Sequence, residues 1–173
     1  IMDEVALGCK AQWAPGHCDL VDGKVVLSQE FLQAQADFLP RVAMRALKGS
    51  VRQVHWFMLE ENSWGYVGLL DPSRNPKPVY YAYQNLIRQY DEGTFAGEVY
   101  YASDVEAYAV QRKDGLRLHV VWKRIDGTTT ISIPQSELIA IYTRDGEVIK
   151  PALSGGSYTI SVGFSPIYLI LTP

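Results

Sequence analysis

Apolar positions in residues 1–90 follow two rhythms. Residues 1–7 (IMDEVAL) are a short apolar run around Asp3 and Glu4, ended by Gly8. As a strand, its side chains alternate between faces, and a carboxylate in such a run is costly to bury unless paired or used. Residues 8–27 read as a long loop with turns at Pro15-Gly16 and Asp22-Gly23, and loops of that length are functional or disordered. From 29 to 47 the apolar residues Phe31, Leu32, Ala36, Leu39, Val42, Ala43, Ala46 and Leu47 recur at helical spacing. Ser28 predicts the N-cap, Glu30 suits the first turn and Gly49 the stop, while Pro40 predicts a kink. Residues 54–59 form a second run of strand length. An acidic and polar loop follows at 60–63, then an apolar patch at 66–70 that leads into the turn pair Asp71-Pro72. Pro76-Lys77-Pro78 opens a second helix carried by Val79, Ala82, Tyr83, Leu86, Ile87 and Tyr90; Pro is tolerated in a first turn. The order strand, loop, helix, strand, loop, helix favours parallel strands.

Residues 91–97 are polar and contain glycine, and beyond them the pattern changes. Short runs rich in Val, Ile, Thr and Tyr occupy 99–102, 105–111, 116–122, 128–133, 138–142, 147–149, 158–162 and 167–171. Turn signals separate them: Lys113-Asp114-Gly115, Asp126-Gly127, Arg144-Asp145-Gly146, Gly155-Gly156 and Ser165-Pro166. Regular short strands with Asp-Gly turns predict an antiparallel sandwich.

Composition narrows the function. Sixteen Lys and Arg against 19 Asp and Glu give a net charge of −3 with no basic cluster, which argues against a nucleic-acid partner. No apolar run approaches the ~20 residues of a membrane span, so no membrane partner is expected. The 11 Tyr and 4 Trp could stack on sugar faces, although such rings also fill cores. Cys9 and Cys18, the only cysteines, fit either a short-loop disulfide or buried thiols. Without His or Asp at metal spacing they make no zinc site, and neither metal nor cofactor is expected. Compartment is not readable.

The stretch VRQVHWFMLEENSWGYVGLLDPSRNPKPVYYAYQNL, residues 51–86, resembles the last βα unit of a clan A glycoside hydrolase, with its Gly-Leu before a turn and its Lys-Pro before a Tyr-rich final helix. SQEFLQAQADFLPRVAMRAL, residues 28–47, resembles the seventh helix of those enzymes, with its Gln-Ala pair. Residues 140–151 followed by 158–171 resemble the small β-sandwich behind the barrel in several of them. The resemblance implies an α/β plus all-β chain: two terminal βα units of a (β/α)8 barrel over 1–93, then an antiparallel β-sandwich over 94–173. A barrel takes eight units and about 250 residues, so two cannot close one. The numbering is therefore expected to begin inside a longer polypeptide.

The same resemblance implies roles. Glu4 occupies the place of the catalytic nucleophile at the carboxyl end of the seventh strand, with Asp3 where the family often has Thr or Ser. Taken alone, Glu4 is a terminal surface acid. Retaining glycosidases need a second carboxyl group as acid and base about 5–5.5 Å away. In the family it follows an Asn at the end of the fourth strand, which nothing here supplies, so the chain alone is not expected to turn over substrate. Trp56 corresponds to the Trp that floors the sugar site, or is a core Trp between strand and helix. Glu60, Glu61, Asn62 and Trp64 lie on the loop where such barrels contact substrate; a solvated loop is the plainer reading for Glu61 and Asn62. Trp13 and His17, on the first loop, are further substrate-binding candidates. His55 and His119 are read as core or edge histidines. The expected partners are a carbohydrate substrate and the remainder of the barrel, upstream or on a partner chain. The alternative is a non-catalytic carbohydrate-binding or structural module. Tyr100, Tyr101, Tyr108 and Trp122 offer a sugar platform in the sandwich, against which burial is the plainer expectation.

Overall fold

A computed structural model describes residues 2–9, 18–21, 24–61 and 65–173, with side chains at 5–9, 26–61 and 65–173. The chain divides into two compact units, Ile1–Tyr83 and Gln84–Pro173, and the boundary falls inside the second helix.

In the first unit, β1 (Met2–Val5) pairs in parallel with β4 (Val54–Trp56), Met2 facing Val54 and Val5 facing Trp56. Between them lies α1 (Gln29–Lys48). Its start is fixed locally: Ser28 Oγ accepts the Phe31 N–H at 3.0 Å. The helix continues through Pro40, itself buried, to Lys48, and the Gly49 N–H closes on the Arg45 carbonyl at 3.0 Å. Its buried face includes Phe31, Ala36, Leu39, Met44 and Ala46, and also the polar Gln35, Asp37 and Arg41.

Two expectations change here. The segment read as a long loop contains a hairpin, β2 (Cys18–Val21) with β3 (Lys24–Leu27), in which Val21 faces Lys24. Its two runs flank an Asp-Gly pair, the strongest short-range hairpin signal, which the length of the stretch had masked. The strand expected to reach residue 59 ends at Trp56, because Met58 and Leu59 turn their carbonyls to the amides of Leu69 and Leu70 at 3.0 and 2.9 Å. Cys9 is buried and disulfide-bonded, which decides its alternative; Cys18 is the other cysteine.

α2 (Pro78–Tyr90) starts at the expected proline. Val79, Ala82 and Leu86 are buried as the periodicity predicts, but Ile87 is 56% exposed and Asn85 and Gln89 are buried instead.

The second unit holds two antiparallel sheets. One has β5 (Thr94–Glu98), β6 (Val105–Gln111), β7 (Arg117–Lys123), β12 (Ile167–Leu171) and β9 (Leu138–Thr143), in that spatial order. The other has β10 (Ala152–Ser154), β11 (Ser157–Val162) and β8 (Thr129–Pro134). Val105, Ala107, Val121, Ile141 and Leu169 of the first share one apolar core with Ile131, Ile133, Ile160 and Val162 of the second, as in a β-sandwich. The opposite face of the larger sheet is buried too, through Tyr108, Val110, Leu118, Val120, Trp122 and Tyr168. Tyr108 packs 5.5 Å from Trp122 and 6.0 Å from Phe95.

Residues 99–102, read as a strand, are instead the connection after β5, which uses the polar stretch 94–98. Gly97, at φ +120°, sits in a bulge that keeps the strand paired to Glu98. Residues 147–149 contribute only an isolated bridge between Val148 and Tyr142. At the end of α2, Asn85 Nδ2 donates to the carbonyls of Thr143 and Arg144 at 3.2 and 3.1 Å, and Asn85 Oδ1 accepts from Gln89 Nε2 at 3.1 Å. Arg112 Nη1 donates to the Gln89 carbonyl at 2.6 Å, satisfying one of the helix's last acceptors.

Candidate functional site

Two parallel strands that leave by neighbouring loops put those loops at one end of the sheet, where open α/β sheets and barrels bind ligands. Here the exits of β1 and β4 are tied together. The Phe57 N–H donates to the Val5 carbonyl at 3.0 Å, and the Cys9 N–H to the Gly65 carbonyl at 2.6 Å. From α1, Gln35 Nε2 bridges both exits, donating to the Leu7 carbonyl at 2.9 Å and the Tyr66 carbonyl at 3.1 Å. Gln35 is wholly buried.

The loop after β4 is laced by its own backbone. Glu60 bridges Leu70, Leu70 bridges Pro76, and the Lys77 N–H donates to the Leu69 carbonyl at 2.9 Å. Gly68 allows the closest approach: a Cβ there would lie 2.6 Å from the Glu61 nitrogen and 2.8 Å from its Cα. Asp71 organises the outer turn, Oδ1 accepting the N–H groups of Ser73 and Asn75 at 2.8 Å each. The Asn75 side-chain amide and these backbone donors hold the Asp71 carboxyl below its ordinary range.

Inside the loop, Lys77 Nζ lies 2.8 Å from Glu61 Oε2, with side chains only 5% and 1% exposed. The ammonium also donates to the Tyr66 carbonyl at 3.0 Å, and the Gly68 N–H to Glu61 Oε2 at 3.2 Å. Glu61 is therefore a buried charge, not the solvated loop acid expected from its neighbours. Burial lowers the Lys77 pKa from its usual value, and the hydrogen bond and charge of Glu61 oppose that shift. Glu61 Oε1 and Gln35 Oε1 are buried without hydrogen-bond partners among the described residues.

Of the sequence-derived candidates, Glu4 lies in β1 next to Val5, which faces Trp56; its side chain is outside the described set. Trp56 donates from Nε1 to the Val67 carbonyl at 2.9 Å, and its half-buried ring meets Phe38 of α1 edge-on at 6.3 Å. Glu60 is exposed and pairs with Arg74 at 3.3 Å. Trp13, His17 and Trp64 lie outside the described residues, as does Asn62. His55 is exposed on β4, whereas His119 is buried on β7. The buried trio Gln35, Glu61 and Lys77 was not picked out by residue type. The only sequence signals for it were the Gln-Ala and Lys-Pro pairs. No group of three or more potential metal ligands occurs among the described residues, and no described helix is long and apolar enough to cross a membrane.

In the sandwich, Tyr108 and Trp122 are buried and Tyr101 is half-buried, its hydroxyl 2.6 Å from His119 Nδ1. Tyr100 is the member of that aromatic set left in solvent, 81% exposed.

No family model matches the chain, and no curated protein matches it. Solved structures do. A family 39 glycoside hydrolase from the gut symbiont Bacteroides cellulosilyticus WH2 superposes with a TM-score of 0.66 at 18% identity, over 80% of this chain and 30% of that one. The catalytic domain of GH30 xylanase C from Talaromyces cellulolyticus gives 0.55 at 11%, over 80% and 35%. A GH30 endoxylanase from Clostridium papyrosolvens C71 gives 0.54 at 12%, over 81% and 38%. At these identities the likeness is one of fold, and the chain spans about a third of each of these proteins.

Proposed function

We propose that this chain is the C-terminal portion of a retaining glycoside hydrolase acting on a β-linked glycoside. It would supply the last two βα units of the (β/α)8 barrel, with Glu4 as the nucleophile, and the β-sandwich that follows them in the chain. The observation that carries the reading is the parallel pairing of β1 with β4, which sets the Glu4 position next to Val5, the residue facing Trp56. The fold likeness to three glycoside hydrolases adds support.

In this reading the ionised Glu4 carboxylate attacks the anomeric carbon. A second carboxylic acid, contributed by the rest of the barrel upstream or on a partner chain, protonates the departing glycosidic oxygen. The resulting glycosyl ester on Glu4 is opened by water, which gives its proton to the second carboxylate and restores both groups. Trp56 would line the sugar site with the part of its indole that Phe38 leaves uncovered, while Glu60, Trp64, Trp13 and His17 are proposed contacts on the two exit loops. Gln35, Glu61 and Lys77 touch no reacting atom. They hold the loop that carries these groups.

The test has two arms. The isolated chain should show no turnover of aryl β-glycosides. The polypeptide in which six further βα units precede it should show turnover that Glu4→Gln lowers by about a thousandfold or more, with a smaller effect on KM. A 2-fluoro glycoside should label the peptide containing Glu4. Unchanged turnover after Glu4→Gln, or a label elsewhere, would overturn the assignment.

A further inference from the structure

The connection between β5 and β6 displays a side chain that neither the sandwich core nor the barrel reading uses. Tyr100 stands in solvent, 81% exposed, between neighbours that are fixed. On its N-terminal side the Val99 N–H donates to the Ala107 carbonyl at 3.0 Å. On its C-terminal side the Tyr101 hydroxyl is 2.6 Å from His119 Nδ1. The far end of the turn is held by the Val105 N–H on the Ala102 carbonyl at 3.2 Å, and by the Arg124 N–H on the Asp104 carbonyl at 2.9 Å. The Asp104 carboxylate accepts from Thr129 Oγ1 at 2.6 Å and pairs with Lys123 at 3.3 Å. The ring is thus presented by a turn whose backbone is already ordered, so a ligand stacking on it meets little ordering cost.

Beside the ring is an open cleft of about 270 Å³, at the small end for ligand sites, which suits a single ring better than a bulky ligand. It is lined on one side by apolar residues, among them Val99 and Ala102, and on the other by the polar Glu98, Ser103, Glu106 and Arg124. A lone exposed tyrosine needs no explanation. One carried by an ordered turn at the edge of a cleft lined by both apolar residues and the charged Glu98, Glu106 and Arg124 does. The ligand that matches such a lining has one apolar face and an edge of hydroxyl groups that both donate and accept. We infer that this cleft is an accessory pyranose site, in which a sugar ring of a neutral polysaccharide stacks on Tyr100 and hydrogen-bonds to the polar side. The inference rests on the proposed glycosidase reading and deepens it by giving the sandwich its own hold on the polymer.

The test is native affinity electrophoresis of the full chain in gels containing soluble xylan, β-glucan or mannan, with heparin as an anionic control. Retardation is expected in at least one neutral polymer. Tyr100→Ala should weaken it at least tenfold, Tyr100→Phe should retain it, and Arg124→Ala should weaken it severalfold. Tyr100 is solvent-exposed, so far-UV spectra of the variants should match the parent. No retardation in any of the three polymers overturns the site. So does equal retardation of Tyr100→Ala, or retardation by heparin alone. The two readings fail separately. Polymer binding that depends on Tyr100, alongside an enzyme indifferent to Glu4→Gln, removes the nucleophile and keeps the cleft. The reverse pair of results removes the cleft.

Discussion

Lys77 Nζ and Glu61 Oε2 are 2.8 Å apart inside the loop that follows β4, both side chains almost wholly out of water. A buried pair of this kind is not a large net stabiliser, but removing one partner strands the other. Lys77→Met should destabilise the first unit by about 3–5 kcal/mol. Lys77→Met combined with Glu61→Leu should recover most of that loss. Denaturant titration of the parent, both single variants and the double variant gives the coupling. Additive losses would show that the pair is not coupled.

Gly68 bears on the same loop. A methyl group there meets backbone, not a flexible side-chain end. Gly68→Ala should cost at least about 2 kcal/mol and disturb the Trp56 bond to Val67. A fluorescence spectrum and unfolding midpoint identical to the parent's would contradict the close approach.

In the second unit, Asn85 closes the turn at 143–146 from the side. Asn85→Ala removes the donor to two carbonyls and should cost about 1–3 kcal/mol. Gly146, at φ +96° and with Asn85 Oδ1 3.1 Å from where a Cβ would be, should tolerate alanine no better. Hydrogen exchange at the amides of β9 reads both effects: faster exchange is expected there, with β8 and β11 changing less.

His119 gives a pH dependence. Burial, helped by the charge of Arg117, holds its pKa at about 4 against the usual 6.5. Between those values the unfolded chain binds the proton that the folded chain refuses. The contribution is therefore full above pH 6.5 and is lost as pH falls through the window, by at most about 3 kcal/mol. His119→Gln should flatten the parent's loss of stability between pH 6.5 and 4 relative to its value at pH 7.5. An unchanged slope would assign that loss to other groups.

The parts of the fold legible in the sequence were those fixed by near neighbours. Ser28 and Gly49 bound α1 because capping is settled within a turn, and β6 and β12 coincide with their apolar runs. Ile87 and Asn85 exchanged places because the partners of Asn85 are 58 and 59 residues away. Glu61 misled for a similar reason: beside Glu60 and Asn62 it looks solvated, and the groups that make its burial tolerable, the Gly68 N–H and the Lys77 ammonium, are 7 and 16 residues on. Tyr100 and Tyr101 are adjacent and alike in composition, yet one reaches His119 and the other reaches none of the core. Nothing in the pair itself distinguishes them.

The change of rhythm at residues 91–97 invites a scissor cut there, since every regular element from Thr94 onward is a strand. The second half of α2 argues for a different place. Asn85 and Gln89 fasten to the turn at 143–146 and to Arg112, so a product starting at 94 or 95 would strip those carbonyls of their donor and leave Arg112 with Asp114 but without the Gln89 carbonyl. Anyone wishing to study the sandwich by itself should keep the helix back to at least Gln84, and should expect a shorter version to misbehave for reasons unrelated to sugar.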